Sequence, residues 1–264
     1  AMAGKSYQEL AQWILSKYLT DYTAEDIADC VAGAYNTNFD TPEIAPLVKL
    51  NDREYILELW HGPTAAFKDM ALQLTPRLLV KAIEKLKLEQ EVIILVATSG
   101  DTGKAALEGF KNVEGTRIIV FYPAHGVSKV QELQMVTTDG NNTYVVGVEG
   151  NFDDCQSAVK EIFADRALEA VMAEHGYQFS SANSINWGRL LPQIVYYFAA
   201  YLNLVDKQAI SYGTPVDFVV PTGNFGNILA AWYAGQMGLP VGKLVCASNK
   251  NQVLADFFAT GVYD

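Results

Sequence analysis

Val92-Ile-Ile-Leu-Val96 is an unbroken apolar run of strand length, followed by a glycine-bearing turn and a helical pattern to about Phe110. A strand that is apolar on both faces has no side to offer water. It belongs inside a parallel sheet clad by helices on both faces. The unit recurs along the chain. Arg117–Tyr122 precedes a helical pattern over Val127–Thr138, and Thr143–Val148 precedes helical residues after Asp153. Gly188–Leu204 reads as a long apolar helix, Val216–Val220 as another buried strand, and Lys243–Ala247 as the last strand, with a helix to Met237 between those two. Strands alternating with helices through right-handed crossovers predict an α/β fold with doubly wound parallel sheets.

The first 46 residues read differently. Tyr7, Leu10, Ala11, Ile14, Leu15 and Tyr18 recur at spacings of 3 and 4, an amphipathic helix within residues 5–19. Thr23 with Asp26 predicts a capping box opening a second helix to about Ala34. Tyr55–Leu59 reads as a short strand and His61-Gly62-Pro63-Thr64 as a turn. A helical pattern beginning near Thr64 runs through Phe67, Met70, Ala71 and Leu74, and Thr75-Pro76 is either a kink or a restart.

Composition excludes several functions. Thirty acidic residues against nineteen basic ones give a formal net charge of -11, the wrong sign for non-specific nucleic-acid binding. Cys30, Cys155 and Cys246 stand far apart, as do His61, His125 and His175, so neither a zinc site nor a disulfide framework is readable. Reduced thiols fit a cytoplasmic protein. No run approaches the roughly 18 apolar residues of a membrane span.

Three segments could carry chemistry. In Pro221-Thr-Gly-Asn-Phe-Gly-Asn227 a buried strand feeds a glycine turn that opens a helix, an arrangement whose free N–H groups suit an anion such as phosphate. The alternative is a tight turn and nothing more. Thr98-Ser99-Gly100-Asp101-Thr102-Gly103 repeats the arrangement, lacks both a Walker A loop and a dinucleotide fingerprint, and reads equally well as capping. Lys68 falls near the start of a predicted helix beside Phe67. Helix dipole and burial both favour its neutral, nucleophilic amine, although a lone helical lysine is ordinarily solvated.

Taken together, these segments resemble threonine synthase, a pyridoxal-phosphate enzyme of the tryptophan-synthase-β fold type. The matching stretches are Leu57-Glu-Leu-Trp-His-Gly-Pro-Thr-Ala-Ala-Phe-Lys-Asp69, Ala97–Gly103 and Pro221–Asn227; Ser180–Asn186 with Arg189, and Ser128 with Gln131 and Glu132, are similar to further family segments. The resemblance implies fold type II, with doubly wound sheets in two lobes. These would be an N-terminal helical segment 1–46, a larger cofactor-binding lobe 47–90 and 190–264, and a smaller α/β lobe 91–189. It implies that Lys68 holds pyridoxal 5'-phosphate as a Schiff base. Phe67, Asp101, Gly223, Asn224, Phe225, Gly226 and Asn227 would contact that cofactor. Thr98, Ser99, Gly100 and Thr102 would hold the substrate carboxylate. Ser128, Lys129, Asn183, Ser184, Asn186 and Arg189 would attend the substrate phosphate.

The implied reaction converts O-phospho-L-homoserine and water into L-threonine and phosphate, in a monomer or homodimer without metal, nucleic acid or membrane. Two departures stand out. His125-Gly126-Val127-Ser128-Lys129 replaces a basic residue followed by proline, which moves the cation to Lys129 or loses a phosphate contact. Relatives also continue well past the position of Asp264, where the group facing the pyridine nitrogen would lie, so a partial chain is expected. Another pyridoxal-phosphate lyase of the threonine or serine dehydratase kind, and a catalytically silent homologue, are the competing readings.

Overall fold

A computed structural model describes residues 4–183, 186–250 and 252–262. Helices α1 (Tyr7–Leu15) and α2 (Ala24–Ala34) each open on a full capping box, Ser6 with Glu9 and Thr23 with Asp26. Their apolar stripes, among them Leu10, Ile14, Ile27 and Val31, enter the larger core, each such side chain contributing about 1.5–3 kcal/mol. Strands β1 (Leu47–Lys49) and β2 (Tyr55–Leu57) form an antiparallel pair. The expected strand over 55–59 thus ends at Leu57. Its partner, at three residues, is too short for any periodicity to reveal.

Helix α3 (Asp69–Leu72) has only four residues, and α4 (Thr75–Leu86) follows with Pro76 in its first turn. The Thr75-Pro76 step is therefore a restart. The helix expected from Thr64 does not form. Thr64 donates its backbone N–H and its hydroxyl to the Asp69 carboxylate, at 2.8 and 2.7 Å, which folds 64–68 into a turn. A Cβ on Gly62 would lie 2.7 Å from Asp69 Oδ2, so that turn needs glycine there.

The main sheet comprises β3 (Glu91–Ala97), β4 (Thr116–Pro123), β5 (Thr143–Val148) and β6 (Tyr177–Ser181), all parallel, in the order β5-β4-β3-β6. Helices α5 (Asp101–Phe110), α6 (Lys129–Val136), α7 (Phe152–Ala164) and α8 (Arg166–Glu174) connect the strands. Val92, Ile94, Val96, Ile118 and Val120 pack on Ala105, Ala106, Leu107 and Phe110 of α5. Ile93, Leu95 and Ala97 face Cys155 and Val159 of α7. Both faces are covered, as the apolar run requires. The chain moves outward from β3 to β5 and then returns to β6 on the other side of β3. The carboxyl ends of β3 and β6 therefore flank the reversal point where ligands bind in open α/β sheets.

Helix α9 (Trp187–Asp206) is the backbone of the larger core, with Leu191, Ile194, Val195 and Tyr201 almost fully buried. Strands β7 (Val216–Pro221) and β8 (Val241–Ala247) pair in parallel, and α10 (Gly226–Gln236) and α11 (Val253–Thr260) complete the described residues. Val220 joins the core with α9 and α10, and Phe218 and Leu244 pack against it. The opposite face is open: Val219 is 66% exposed and Val245 42%. The expectation that Val216–Val220 is buried on both faces is thus corrected, because no described element lies over that side.

Candidate active site

Lys68 immediately precedes α3, with ordinary right-handed backbone angles. Its side chain is 15% exposed, and Nζ lies 4.7 Å from the Phe67 ring centroid and 3.7 Å from Asp101 Oδ2. Burial lowers its pKa below the ordinary lysine value, Asp101 opposes that shift, and Arg189 reinforces it. The dipole of a four-residue helix is a minor contributor; desolvation does the work expected of it.

Asp101 opens α5 and is half exposed. Its Oδ1 accepts a 2.8 Å hydrogen bond from Gln131 Nε2. Gln131 in turn closes the capping box of α6: its Oε1 accepts from the Ser128 N–H, and Ser128 Oγ accepts from the Gln131 N–H. Two helix starts, α5 and α6, are thereby tied together beside the lysine. Gly100 adopts φ +145, and a Cβ there would meet Gln131 Nε2 at 2.4 Å. Thr98 is turned inward: its Oγ1 accepts from the N–H groups of Gly100 and Gly103 at 3.0 and 2.9 Å. Ser99 is exposed at the tip of the turn, and Thr102 lies in the first turn of α5.

At the end of β6, Asn183 Nδ2 donates to the Ala97 carbonyl at the end of β3, 3.3 Å away. The reversal point is thus laced together. Asn186 is the N-cap of α9: its Oδ1 accepts from the Gly188 N–H and its Nδ2 donates to the Ser181 carbonyl. Both ends of that amide are engaged, so capping occupies the side chain assigned to substrate. Arg189 is 3% exposed, donates from Nη1 to the Ala182 carbonyl at 2.5 Å, and among the described residues its Nε has no partner. Desolvation lowers its pKa to about 10. Among the described residues no carboxylate pairs with this buried cation, while Lys68 feels its charge. Lys129 is exposed and pairs with Glu132 at 2.9 Å. Ser184 lies outside the described residues.

The third turn begins at buried Thr222, whose N–H donates to Ala247 and whose hydroxyl donates to Val220. Helix α10 then starts with Phe225 as N-cap, with no capping side chain and no acidic residue in its first turn. Among the described residues the N–H groups of Gly223, Asn224, Phe225 and Gly226 have no hydrogen-bond partner. A Cβ on Gly223 would meet nothing within 4 Å, so the turn is open on that side. Asn224 and Phe225 are exposed. Asn227 is held from behind, its Oδ1 accepting from the phenols of Tyr196 and Tyr197. Both α3 and α10 pack on α9, which makes that helix the common support of the lysine and the open turn.

The structure therefore brings Lys68, Phe67, Asp101 and Arg189 into one electrostatic group and ties Ser128 to it. Tyr196 and Tyr197 were not among the residues assigned from sequence, and Gln131 was matched to a family segment without a role. The signal for Gln131 was its place three residues after Ser128; for the tyrosines it was two consecutive phenols inside an apolar helix, which need partners once buried. No group of three or more His, Cys, Asp or Glu among the described residues could hold a metal ion, and none of their helices is long and apolar enough to cross a membrane.

A sequence model of the family described as "Pyridoxal-phosphate dependent enzyme" matches residues 39–264. "Threonine synthase-like 1" of Homo sapiens is 46% identical over 272 residues, covering 100% of this chain and 36% of that protein. "Threonine synthase" of Pseudomonas aeruginosa is 43% identical over 265 residues, covering 99% of this chain and 53% of that protein. The crystal structure of PLP-bound threonine synthase from Brucella melitensis superposes with a TM-score of 0.88 at 40% identity, covering 100% of this chain and 54% of that one. The chain thus spans about half the length, or less, of the relatives it matches.

Proposed function

This chain belongs to the pyridoxal-phosphate dependent enzyme family, and from that premise we propose that it serves the threonine synthase reaction, turning O-phospho-L-homoserine and water into L-threonine and phosphate. Its fold is the α/β fold type II of that family, and its cofactor is pyridoxal 5'-phosphate. The residues fit that group on two observations. Four backbone N–H groups at Gly223–Gly226, without partners among the described residues, suit a phosphate. A desolvated lysine amine stands ready for an aldehyde.

In this reading Lys68 holds the cofactor, Gly223–Asn227 hold its phosphate, and Phe67 and Asp101 lie beside it. When bound, the cofactor supplies an electron sink for negative charge at the substrate's Cα. Lys68, once free, takes and returns protons at Cα and Cβ. Ser99, Gly100 and Thr102 receive the substrate carboxylate at the start of α5, with Thr98 shaping the turn from inside. Arg189, a buried cation whose Nε has no partner among the described residues, receives the substrate phosphate that departs from Cγ. The domain division stays as proposed, with the smaller lobe at 91–189 carrying the carboxylate turn and the larger lobe carrying Lys68 and the phosphate turn. A cytoplasmic location, and a monomeric or homodimeric state, complete the reading.

The observation that carries it is the half-buried, charge-perturbed Lys68 within His61-Gly62-Pro63-Thr64-Ala65-Ala66-Phe67-Lys68-Asp69. Protein mixed with pyridoxal phosphate should turn yellow, and borohydride should fix the label on Lys68. Phosphate release from O-phosphohomoserine, matched by threonine, should follow. Label on another residue, or unchanged colour in Lys68→Ala, defeats the assignment. Colour without phosphate release favours the silent homologue, and ketoacid formation from threonine favours the dehydratase.

A further inference from the structure

Two buried phenols meet the phosphate turn at one side chain. Asn227 Oδ1 lies 2.5 Å from Tyr196 Oη and 2.7 Å from Tyr197 Oη. Tyr196 is 1% exposed and Tyr197 3%. Burial raises both phenol pKa values, so each keeps its proton and donates. Each phenol also reaches a second acceptor, Gln193 Oε1 at 3.0 Å from Tyr196 Oη and the Asn227 carbonyl at 3.1 Å from Tyr197 Oη. The network therefore anchors the Asn227 side chain against α9 at two points. Its oxygen points to the phenols and its NH2 points away from them. Among the described residues that NH2 has no hydrogen-bond partner, like the backbone N–H groups of the preceding four residues.

We infer that Tyr196 and Tyr197 are positioning residues of the anion site: by anchoring the Asn227 side chain from behind, they hold it where its NH2 can join the amides of Gly223–Gly226 on the cofactor phosphate. The inference rests on the reading of that turn as the phosphate holder. Neither phenol touches the phosphate; each acts through Asn227. Phenylalanine would fill the same volume in the core, so only the hydroxyls separate this role from packing.

The test compares two ligands that differ only in the phosphate. Wild type, Tyr196→Phe, Tyr197→Phe and Asn227→Asp are titrated with pyridoxal phosphate and with pyridoxal, following absorbance. The preference of wild type for pyridoxal phosphate measures the phosphate's share of binding. Each phenylalanine variant should reduce that preference about tenfold, the worth of a hydrogen bond to a charged group, with pyridoxal affinity changed less than about twofold. Asn227→Asp keeps an acceptor for both phenols but replaces the donor by an anion, and should abolish the preference. Equal weakening of both ligands, or no change in either phenylalanine variant, overturns the inference. If those variants fail to fold, Asn227→Asp decides: a surviving preference overturns it. A wild type without any preference would sink the phosphate-turn reading itself, and is distinct from a preference that survives substitution.

Discussion

Lys68 stands in opposing fields. Burial drives its amine toward the neutral form, the Asp101 carboxylate 3.7 Å away pulls it back, and the Arg189 cation pushes it forward again. The Phe67 ring face 4.7 Å away also favours the ammonium. Neutral amine is what captures an aldehyde, so borohydride-trapped label at Lys68 should rise with pH at a midpoint below the ~10.4 of free lysine. Asp101→Asn removes the anion that favours the charged form and should lower that midpoint further. Arg189→Gln removes a repelling cation and should raise it. Shifts of the same sign in both variants would show that the field is not what sets the midpoint. The lysine string singled out this residue, yet its burial comes from distant parts of the chain that no local pattern shows. Thr98 and Asn186 teach the converse. A hydroxyl or amide beside a helix start satisfies backbone N–H groups as readily as it binds a ligand, and in both cases the structure uses it for the backbone.

Among the elements, the turn between β3 and α5 tolerates least change. A Cβ on Gly103 would meet Thr98 Cγ2 at 2.6 Å, Met135 Sδ at 2.7 Å and Val120 Cγ1 at 2.9 Å. Gly103→Ala should cost about 1–3 kcal/mol of stability, as overpacking does, read as a lower thermal midpoint. A midpoint unchanged within error would mean that α5 can move off the sheet freely. The turn after β2 carries a pH-dependent tie. His61 Nδ1 lies 2.5 Å from Asp40 Oδ1 and Nε2 lies 2.8 Å from Glu58 Oε2. The bond to Glu58 is the largest cause of its raised pKa. A raised folded value stabilises fully below the unfolded value, about 6.5, and the gain is lost as pH climbs through the elevated value. The stability difference between wild type and His61→Asn should therefore be largest near pH 6 and shrink at alkaline pH. Its size should be about 1 kcal/mol or less, since solvent screens the exposed Asp40. A difference that stays constant across that range would mean that the ring contributes by packing alone. Long elements with strong periodicity were legible from sequence, down to the Thr23–Asp26 capping box. The Thr64–Lys68 turn was not, because the clasp that makes it, Asp69 reaching back to Thr64, overrides a helical spacing that looks continuous.

For the molecule as a whole, the two parallel sheets pose a contrast. The apolar run in β3 asks for cover on both faces, whereas β7 carries exposed Asp217 beside Val219 on one of its faces. The β3 sheet receives it, from α5 on one side and α7 on the other. The β7–β8 pair receives it on one side only, and Val219 and Val245, directly paired in register, stand 66% and 42% exposed on the other. Neighbouring exposed β-branched residues on a parallel pair form an adhesive surface. This chain should therefore bind an environment-sensitive apolar dye and self-associate as concentration rises, both through that face. Val219→Lys with Val245→Lys should weaken both effects in fluorescence and sedimentation, while thermal stability changes by only about 0.5 kcal/mol per substitution, because neither side chain is buried. If the double lysine variant binds dye and associates as before, the adhesive surface lies elsewhere. If it instead unfolds, the face is not free in solution and already covers itself. Because α10, which follows the phosphate turn, packs on the other side of these same strands, self-association through the open face should leave Lys68 labelling by pyridoxal phosphate intact, and labelling measured across that concentration range checks it.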